Sequence, residues 1–234
     1  MEPVDAAREL VAGRHPEALA VFLGGSVLTA RRTALSDLDV VVLLGADAVP
    51  YRESCRFGGW PVELFVHSED SWRGFVERET VRRRSPLLWM CSAGTLVVDR
   101  DGTGARLQAE ARRRTDAGPA PVTAQEIEDG RYALSDLLDD LAGCTHPGER
   151  LYVVTEIARR TGELLLLAEG AWLGAGKWLA RRADEVLPGF SERLDAVVRD
   201  ALDGRPERLV ALADEVLAGV GGRLWEGYRR GGVT

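Results

Sequence analysis

The stretch of sequence that decides the fold is residues 23–42, LGGSVLTARRTALSDLDVVV. It starts at the end of an apolar run, EALAVFL at residues 17–23, which predicts a strand. The turn Gly24-Gly25-Ser26 follows, and its glycines let backbone N–H groups approach a polyphosphate because no Cβ intervenes. Ser26 adds a hydroxyl donor at the start of a predicted helix, whose positive end favours anions. A Gly-Gly-Ser sequence alone is also a common turn, so the residues beyond it decide between a phosphate site and a simple turn.

An acid pair, Asp37 and Asp39, begins the next predicted strand, residues 38–44. Alternation along a strand places both side chains on one face. Two carboxylates about 4 Å apart repel by about 4 kcal/mol at an effective dielectric near 20. Magnesium relieves this repulsion, because it binds through one or two carboxylates together with substrate phosphates. Such a pair is also found as a solvated strand edge or a helix cap. Its place after the glycine turn favours a metal–nucleotide site.

A third carboxylate, Glu63, lies within the apolar segment PVELFVH at residues 61–67. An ionised side chain has no packing reason to be in such a strand, and Phe65 and His67 share its face. The alternative is an edge-strand glutamate that faces water. Three acids on adjacent strands can hold two metal ions about 3.5–4 Å apart, which activate a hydroxyl and stabilise a leaving oxygen. We therefore predict Asp37, Asp39 and Glu63 as metal ligands.

With these residues in place, the pattern resembles the nucleotidyltransferase superfamily that includes DNA polymerase β and the small aminoglycoside nucleotidyltransferases. Gly25 and Ser26 match its Gly-Ser turn, Asp37 and Asp39 its acid pair, and Glu63 its third acid. The match covers residues 17–67. Many relatives read GSxARG, whereas VLTARR follows Ser26 here, so the role of the family's arginine is assigned to no residue.

The resemblance implies an α/β nucleotidyltransferase domain, a small mixed sheet with flanking helices, followed by an all-α helix bundle. It implies the transfer of a nucleoside monophosphate, AMP from ATP in the simplest case, to a hydroxyl with release of pyrophosphate. Asp37, Asp39 and Glu63 would be the catalytic residues and would bind two Mg²⁺ ions, while Gly24, Gly25 and Ser26 would bind the nucleotide. Whether Glu63 is the general base or only a metal ligand stays open.

The domain boundary is predicted at the segment AGPAPV, residues 117–122, because proline and glycine stop one helix before another begins. We predict an α/β domain over residues 1–117 and a helical domain over 123–230. Further elements are predicted from periodicity and breakers. They are strands at 62–67 and 95–99, and helices at 3–12, 69–84, 123–142, 147–169, 176–187, 191–202 and 206–228.

Two features of the helical half carry hypotheses about substrates. Glu126, Asp129 and Asp136 share one face of the first bundle helix, which is either a solvated face or the binding surface for a cationic acceptor such as an aminoglycoside. Lys177 is the only lysine of the chain. It resembles by position the lysine with which the aminoglycoside group contacts nucleotide phosphates, and the alternative is a surface residue.

Composition excludes several classes. The 234 residues carry a net charge of −7, which argues against general nucleic-acid binding. No apolar run reaches the ~18 residues of a membrane span, the first residues lack the order of a secretory signal, and the three cysteines form no CxxC pair. We expect a cytoplasmic monomer or homodimer that acts on a small molecule and binds no membrane. The alternatives are a protein-adenylylating, antitoxin-type nucleotidyltransferase and a non-catalytic nucleotide-binding domain.

Overall fold

The computed structural model of the chain describes residues 1–231, which divide into two units after Pro119. The first unit holds a five-stranded sheet with flanking helices, and within the described residues the second unit contains helices and no strands. This architecture confirms the predicted fold class. None of the helices that the structure describes combines the length and the apolar character needed to cross a bilayer.

The sheet consists of β1 (Ala20–Gly24), β2 (Leu38–Leu43), β3 (Tyr51–Phe57), β4 (Trp60–His67) and β5 (Thr95–Asp99), in the order β3-β4-β2-β1-β5. The β2–β4 pair is parallel and the other pairs are antiparallel, so the sheet is mixed. The strand predicted from residue 17 starts only at Ala20. Strand β3 was not predicted from the sequence, because its residues are mostly polar. Gly58 and Gly59, with φ of 58° and 89°, form the tight turn between β3 and β4.

The helices of the first unit are α1 (Pro3–Arg14), α2 (Glu69–Val81), α3 (Pro86–Ser92) and α4 (Thr103–Asp116). The helix predicted over residues 69–84 is therefore too long. It ends at Val81 because Arg83 takes a left-handed φ of 55° and Ser85, which precedes a proline, leaves the helical region. Pro86 then occupies the first position of α3, where its missing N–H does no harm.

The two faces of the sheet have different neighbours. On one face, Leu10 of α1 joins a buried cluster with Leu23, Val40 and Leu64. On the other face, α3 packs so closely that a Cβ on Gly24 would lie 2.9 Å from Cγ of Met90. Because side chains alternate along a strand, the neighbours of Val40 and Leu64 in sequence point to the α3 side. The predicted acids of β2 and β4 therefore lie on that side, near the end of β1.

The second unit contains α5 (Ala124–Gly143), α6 (Pro147–Ala168), α7 (Lys177–Val186), α8 (Phe190–Leu202) and α9 (Glu207–Ala218). Thr123 caps α5 as predicted: its Oγ1 accepts from the Glu126 N–H, and Glu126 Oε2 accepts from the Thr123 N–H at 2.8 Å. The unit buries a cluster of apolar side chains. Its largest fully buried members are Leu134, Leu138, Ile157 and Phe190.

The helix predicted over residues 206–228 is wrong beyond Ala218. Gly221 and Gly222 have φ of 104° and 80°, which end the helical path. The following segment, residues 223–231, is not helical, and its start is attached to α5. Arg131 donates to the carbonyls of Gly221 and Gly222, and the Leu224 N–H donates to Ser135 Oγ.

Candidate metal and nucleotide site

The register of the sheet brings the predicted acids together. Asp39 is paired with Glu63 across the parallel β2–β4 ladder and with Gly24 across the antiparallel β1–β2 ladder. Paired residues point to the same face, and Asp37 lies two residues before Asp39, just ahead of β2. One carboxylate oxygen of each of Asp37, Asp39 and Glu63 lies within 4.8 Å of the others. All three side chains are partly buried.

This carboxylate cluster fits a divalent cation. Magnesium–oxygen distances are about 2.1 Å, so two ligands of one ion lie at most about 4.2 Å apart. The three oxygens lie within 4.8 Å of one another, close enough to share one ion or two neighbouring ions after rotation of the side chains. Without a cation the three negative charges repel each other in a partly buried site. The donor set therefore has both the geometry and the charge to hold Mg²⁺.

Gly25 lies against the acid cluster, at a position where only glycine fits. Its φ of 88° lies in the region that favours glycine. A Cβ at this position would lie 2.4 Å from Oδ2 of Asp39, so any larger residue would push the carboxylate aside. The turn and the acid pair are thus in direct contact, and Gly25 is the residue that permits it.

Ser26 connects the turn to the loop that precedes the acids. The helix predicted to start at Ser26 is much shorter than expected. It is one 3-10 turn of three residues, Ser26–Leu28, too short for the dipole of a full helix. The first N–H groups of such a turn have no partner within it and remain suited to an anion. The Ser26 side chain is buried, and its Oγ lies 3.3 Å from Oγ of Ser36, the residue before Asp37.

Arg52, a residue not predicted from the sequence, contacts the third acid. Its Nη2 donates to Oε2 of Glu63 at 2.5 Å, and its guanidinium lies 4.9 Å from the centre of the Phe65 ring. Arg52 belongs to β3, the strand that was not predicted. The signal that would have found it is the two-residue turn Gly58-Gly59, which typically joins the strands of a hairpin.

The other predicted site residues lie in the second unit. Lys177 is the first residue of α7, and Gly176 before it has a φ of 51°. Asp136 is partly buried on α5, whereas Glu126 is engaged in the cap of that helix. Their roles in binding phosphate or an acceptor stay predictions.

Asp129 of α5 already has partners within the chain. Its Oδ1 accepts from the Tyr228 hydroxyl at 2.8 Å and from Gln125 at 2.9 Å, and Arg230 lies 3.4 Å from Oδ2. Burial opposes ionisation of Asp129, but the hydrogen bonds from Tyr228 and Gln125 and the charge of Arg230 outweigh it and lower the pKa of the carboxyl. A cationic acceptor would have to compete with these groups.

Comparison with known proteins finds similarity to solved structures. No protein-family model matches the sequence, and no curated protein matches it. The fold is similar to the crystal structure of a nucleotidyltransferase-like protein from Exiguobacterium sibiricum 255-15, with 14% sequence identity and a TM-score of 0.45. The similarity covers 93% of this chain and 77% of that one. Because most residues differ between the two chains, the function has to be inferred from the site itself.

Proposed function

We propose that this protein is a Mg²⁺-dependent nucleotidyltransferase that moves a nucleoside monophosphate, AMP from ATP, to a hydroxyl of a small acceptor. Pyrophosphate is the second product. The observation that carries this proposal is the cluster of Asp37, Asp39 and Glu63 in direct contact with the Gly25–Ser26 turn. The resemblance of these residues to the nucleotidyltransferase motif supports it further.

The three carboxylates and the turn have different roles in the proposed reaction. Asp37 and Asp39 would hold the ions, two in number by analogy with the motif, and Glu63 would hold one of them. Ions held there would neutralise the phosphate charge and acidify the acceptor hydroxyl as it attacks the α-phosphorus. The backbone N–H groups at the start of the Ser26–Leu28 turn would orient the β- and γ-phosphates, which leave together as pyrophosphate. Glu63 lies on the β3 side of the cluster, where it either accepts the proton of the hydroxyl or only holds an ion.

The acceptor in this proposal is a small cationic molecule such as an aminoglycoside. The acidic face of α5, with Glu126, Asp129 and Asp136, supports a cationic acceptor, because clustered carboxylates attract polycations. Lys177 would contact the nucleotide phosphates from the second unit.

The test is incubation of the full chain with Mg²⁺ and α-³²P-labelled NTPs, together with a panel of aminoglycosides, lincosamides and proteins. We expect label on a small molecule and none with Asp39→Asn, which keeps the size of the side chain and removes its charge. Label on a protein instead would favour the protein-adenylylating alternative. Bound ATP without transfer to any acceptor would favour a non-catalytic nucleotide-binding domain.

A further inference from the structure

The ion pair between Arg52 and Glu63 places a positive charge on a carboxylate that the proposed function assigns to a metal ion. In the β3–β4 ladder Ser54 is opposite Glu63 and Arg52 is opposite Phe65, so Arg52 is the diagonal neighbour of Glu63 on the same face. The side chain of Arg52 is 61% exposed and that of Glu63 only 27%. Arg52 therefore reaches Glu63 from the edge of the sheet, and water can replace Glu63 as the partner of its guanidinium.

The stacking of Arg52 on Phe65 holds the guanidinium beside Glu63. The charged group lies 4.9 Å from the ring centre, within the range of a cation–π contact. This contact does not depend on Glu63. When the ion pair opens, the guanidinium can stay on the Phe65 ring, two residues along β4 from Glu63, and can return to the carboxylate.

A guanidinium and a divalent ion on the same carboxylate oppose each other. Arg52 partly neutralises the negative charge of Glu63, which leaves less attraction for a metal ion. Two cations that share one carboxylate also repel each other at short range. Each therefore weakens the binding of the other by the same factor, as any two linked ligands must.

We propose that Arg52 is a displaceable counter-ion of Glu63 that makes the site select a divalent ion bound to a nucleotide over the free ion. This inference rests on the proposed function, since it assumes that the acid cluster binds Mg²⁺. A free ion brings only positive charge toward Arg52, whereas an ion bound to a polyphosphate brings negative charge that the guanidinium attracts. Arg52 is thus a positioning residue that sets the order in which the site fills.

The experiment measures Mn²⁺ binding to the metal-free full chain by the loss of the free-Mn²⁺ electron paramagnetic resonance signal, with and without a non-hydrolysable ATP analogue. For Arg52→Gln we expect the dissociation constant for Mn²⁺ alone to fall about fivefold, the size of one exposed ion pair. The constant for Mn²⁺ with the analogue should change less than about twofold, because the lost repulsion and the lost attraction offset each other. Arg52→Lys, which keeps the charge, should resemble the wild type, and Arg52→Met should repeat the result of Arg52→Gln.

Arg56 offers a matched control. It lies on the same strand and the same face, opposite Pro61, and among the described residues it has no ion-pair partner. Arg56 is the other diagonal neighbour of Glu63 but makes no ion pair with it, so Arg56→Gln removes the same charge without a direct contact, and the Mn²⁺ constant should move clearly less than in Arg52→Gln. If Arg52→Gln binds free Mn²⁺ like the wild type, or no more tightly than Arg56→Gln, the proposal on Arg52 is wrong. Wild-type Mn²⁺ binding that persists in Asp39→Asn would instead contradict the proposed function, and the Arg52 proposal with it.

Discussion

Gly25 shows at the scale of one residue how tightly the turn and the acid cluster fit together. Its backbone, with φ of 88° and ψ of −179°, is in a region that is nearly restricted to glycine. Its missing side chain also leaves the space that Oδ2 of Asp39 occupies. Backbone conformation and contact thus require glycine independently, and substitutions can separate the two requirements.

We predict that Gly25→Ala lowers the free energy of unfolding by about 1–3 kcal/mol from backbone strain. It should also weaken Mn²⁺ binding at least about tenfold, because the methyl group displaces Asp39. Gly59 is the control, since its φ is 89° and a Cβ there would meet no atom within 4 Å. Gly59→Ala should lose stability in urea titrations but keep Mn²⁺ affinity. Equal losses of affinity in the two variants would contradict the role given to Gly25.

His67 links stability to pH at the same scale. Burial lowers its pKa below 6.5, while Nδ1 lies 3.2 Å from Ser71 Oγ and the ring packs edge-on against Phe75. The folded state therefore binds a proton less readily than the unfolded state, so the contribution of His67 is present above pH 6.5 and is lost as the pH falls below it. Between pH 7.5 and 5.5, wild-type melting temperature should decrease more than that of His67→Gln. Parallel decreases would rule out His67 as the cause.

At the scale of elements, α2 and α4 are joined by a network of charged side chains. Glu69 accepts from Arg106 at 2.7 Å and from Arg73 at 2.9 Å, and Arg73 also donates to Glu110. Hydrogen bonds from Arg106 come first among the causes that lower the pKa of Glu69 to about 2. The network holds the two helices beside the sheet that carries the acid cluster.

We predict that Glu69→Gln lowers the free energy of unfolding by about 1 kcal/mol at pH 7, the upper range for solvent-accessible pairs. A lowered carboxyl pKa gives stability that is complete above 4.5 and is lost as the pH falls toward 2. The difference between variant and wild type should therefore shrink from pH 5 to pH 3 in urea titrations. Asp70→Asn is the control, because Asp70 is exposed and has one longer contact, 3.6 Å to Arg73. A difference that stays constant with pH would contradict this account.

The elements that could be predicted are those with strong apolar periodicity. Valine and leucine runs identified β2 and most of β4, and the Thr123–Glu126 cap identified the start of α5. Strand β3 could not be recognised by the same criterion, because Arg52, Glu53 and Arg56 interrupt its apolar residues at a sheet edge. The end of α9 was missed because apolar residues continue past the glycines that stop it.

The candidate site was predictable only in part for a related reason. Residue types and strand alternation indicated which acids share a face. Their proximity, however, depends on the parallel pairing of β2 with β4, which places Asp39 opposite Glu63. The Arg52 contact depends on the long-range pairing of β3 with β4, and the contact between Gly25 and Asp39 on a turn geometry that no sequence period encodes.

At the scale of the whole molecule, the proposed function uses residues from both units. The first unit, Met1–Pro119, carries the acid cluster and the Gly24–Ser26 turn, and the second carries Lys177 and the acidic face of α5. A contribution of the second unit to the reaction is thus a separate hypothesis that needs its own measurement.

We predict that Lys177→Ala weakens ATP binding about tenfold, the size of one charge-assisted hydrogen bond to phosphate. Lys177→Arg should keep most of the affinity. Arg181, one turn further along α7 with its guanidinium 4.6 Å from the Trp178 ring centre, provides the control Arg181→Ala. Isothermal titration with a non-hydrolysable ATP analogue and Mg²⁺ measures all three. If Lys177→Ala binds the analogue as tightly as the wild type, Lys177 is a surface residue with no role in nucleotide binding.

The assignment of Asp37, Asp39 and Glu63 as ligands of the ions in a nucleotidyl transfer reaction is the point on which the proposed function depends. Anomalous scattering from crystals grown with Mn²⁺ and a non-hydrolysable ATP analogue tests it most directly. We expect two manganese peaks about 3.5–4 Å apart among the three carboxylates, with the phosphates of the analogue against Gly25 and Ser26. Nucleotide bound elsewhere, or manganese peaks that avoid the three carboxylates, would contradict it.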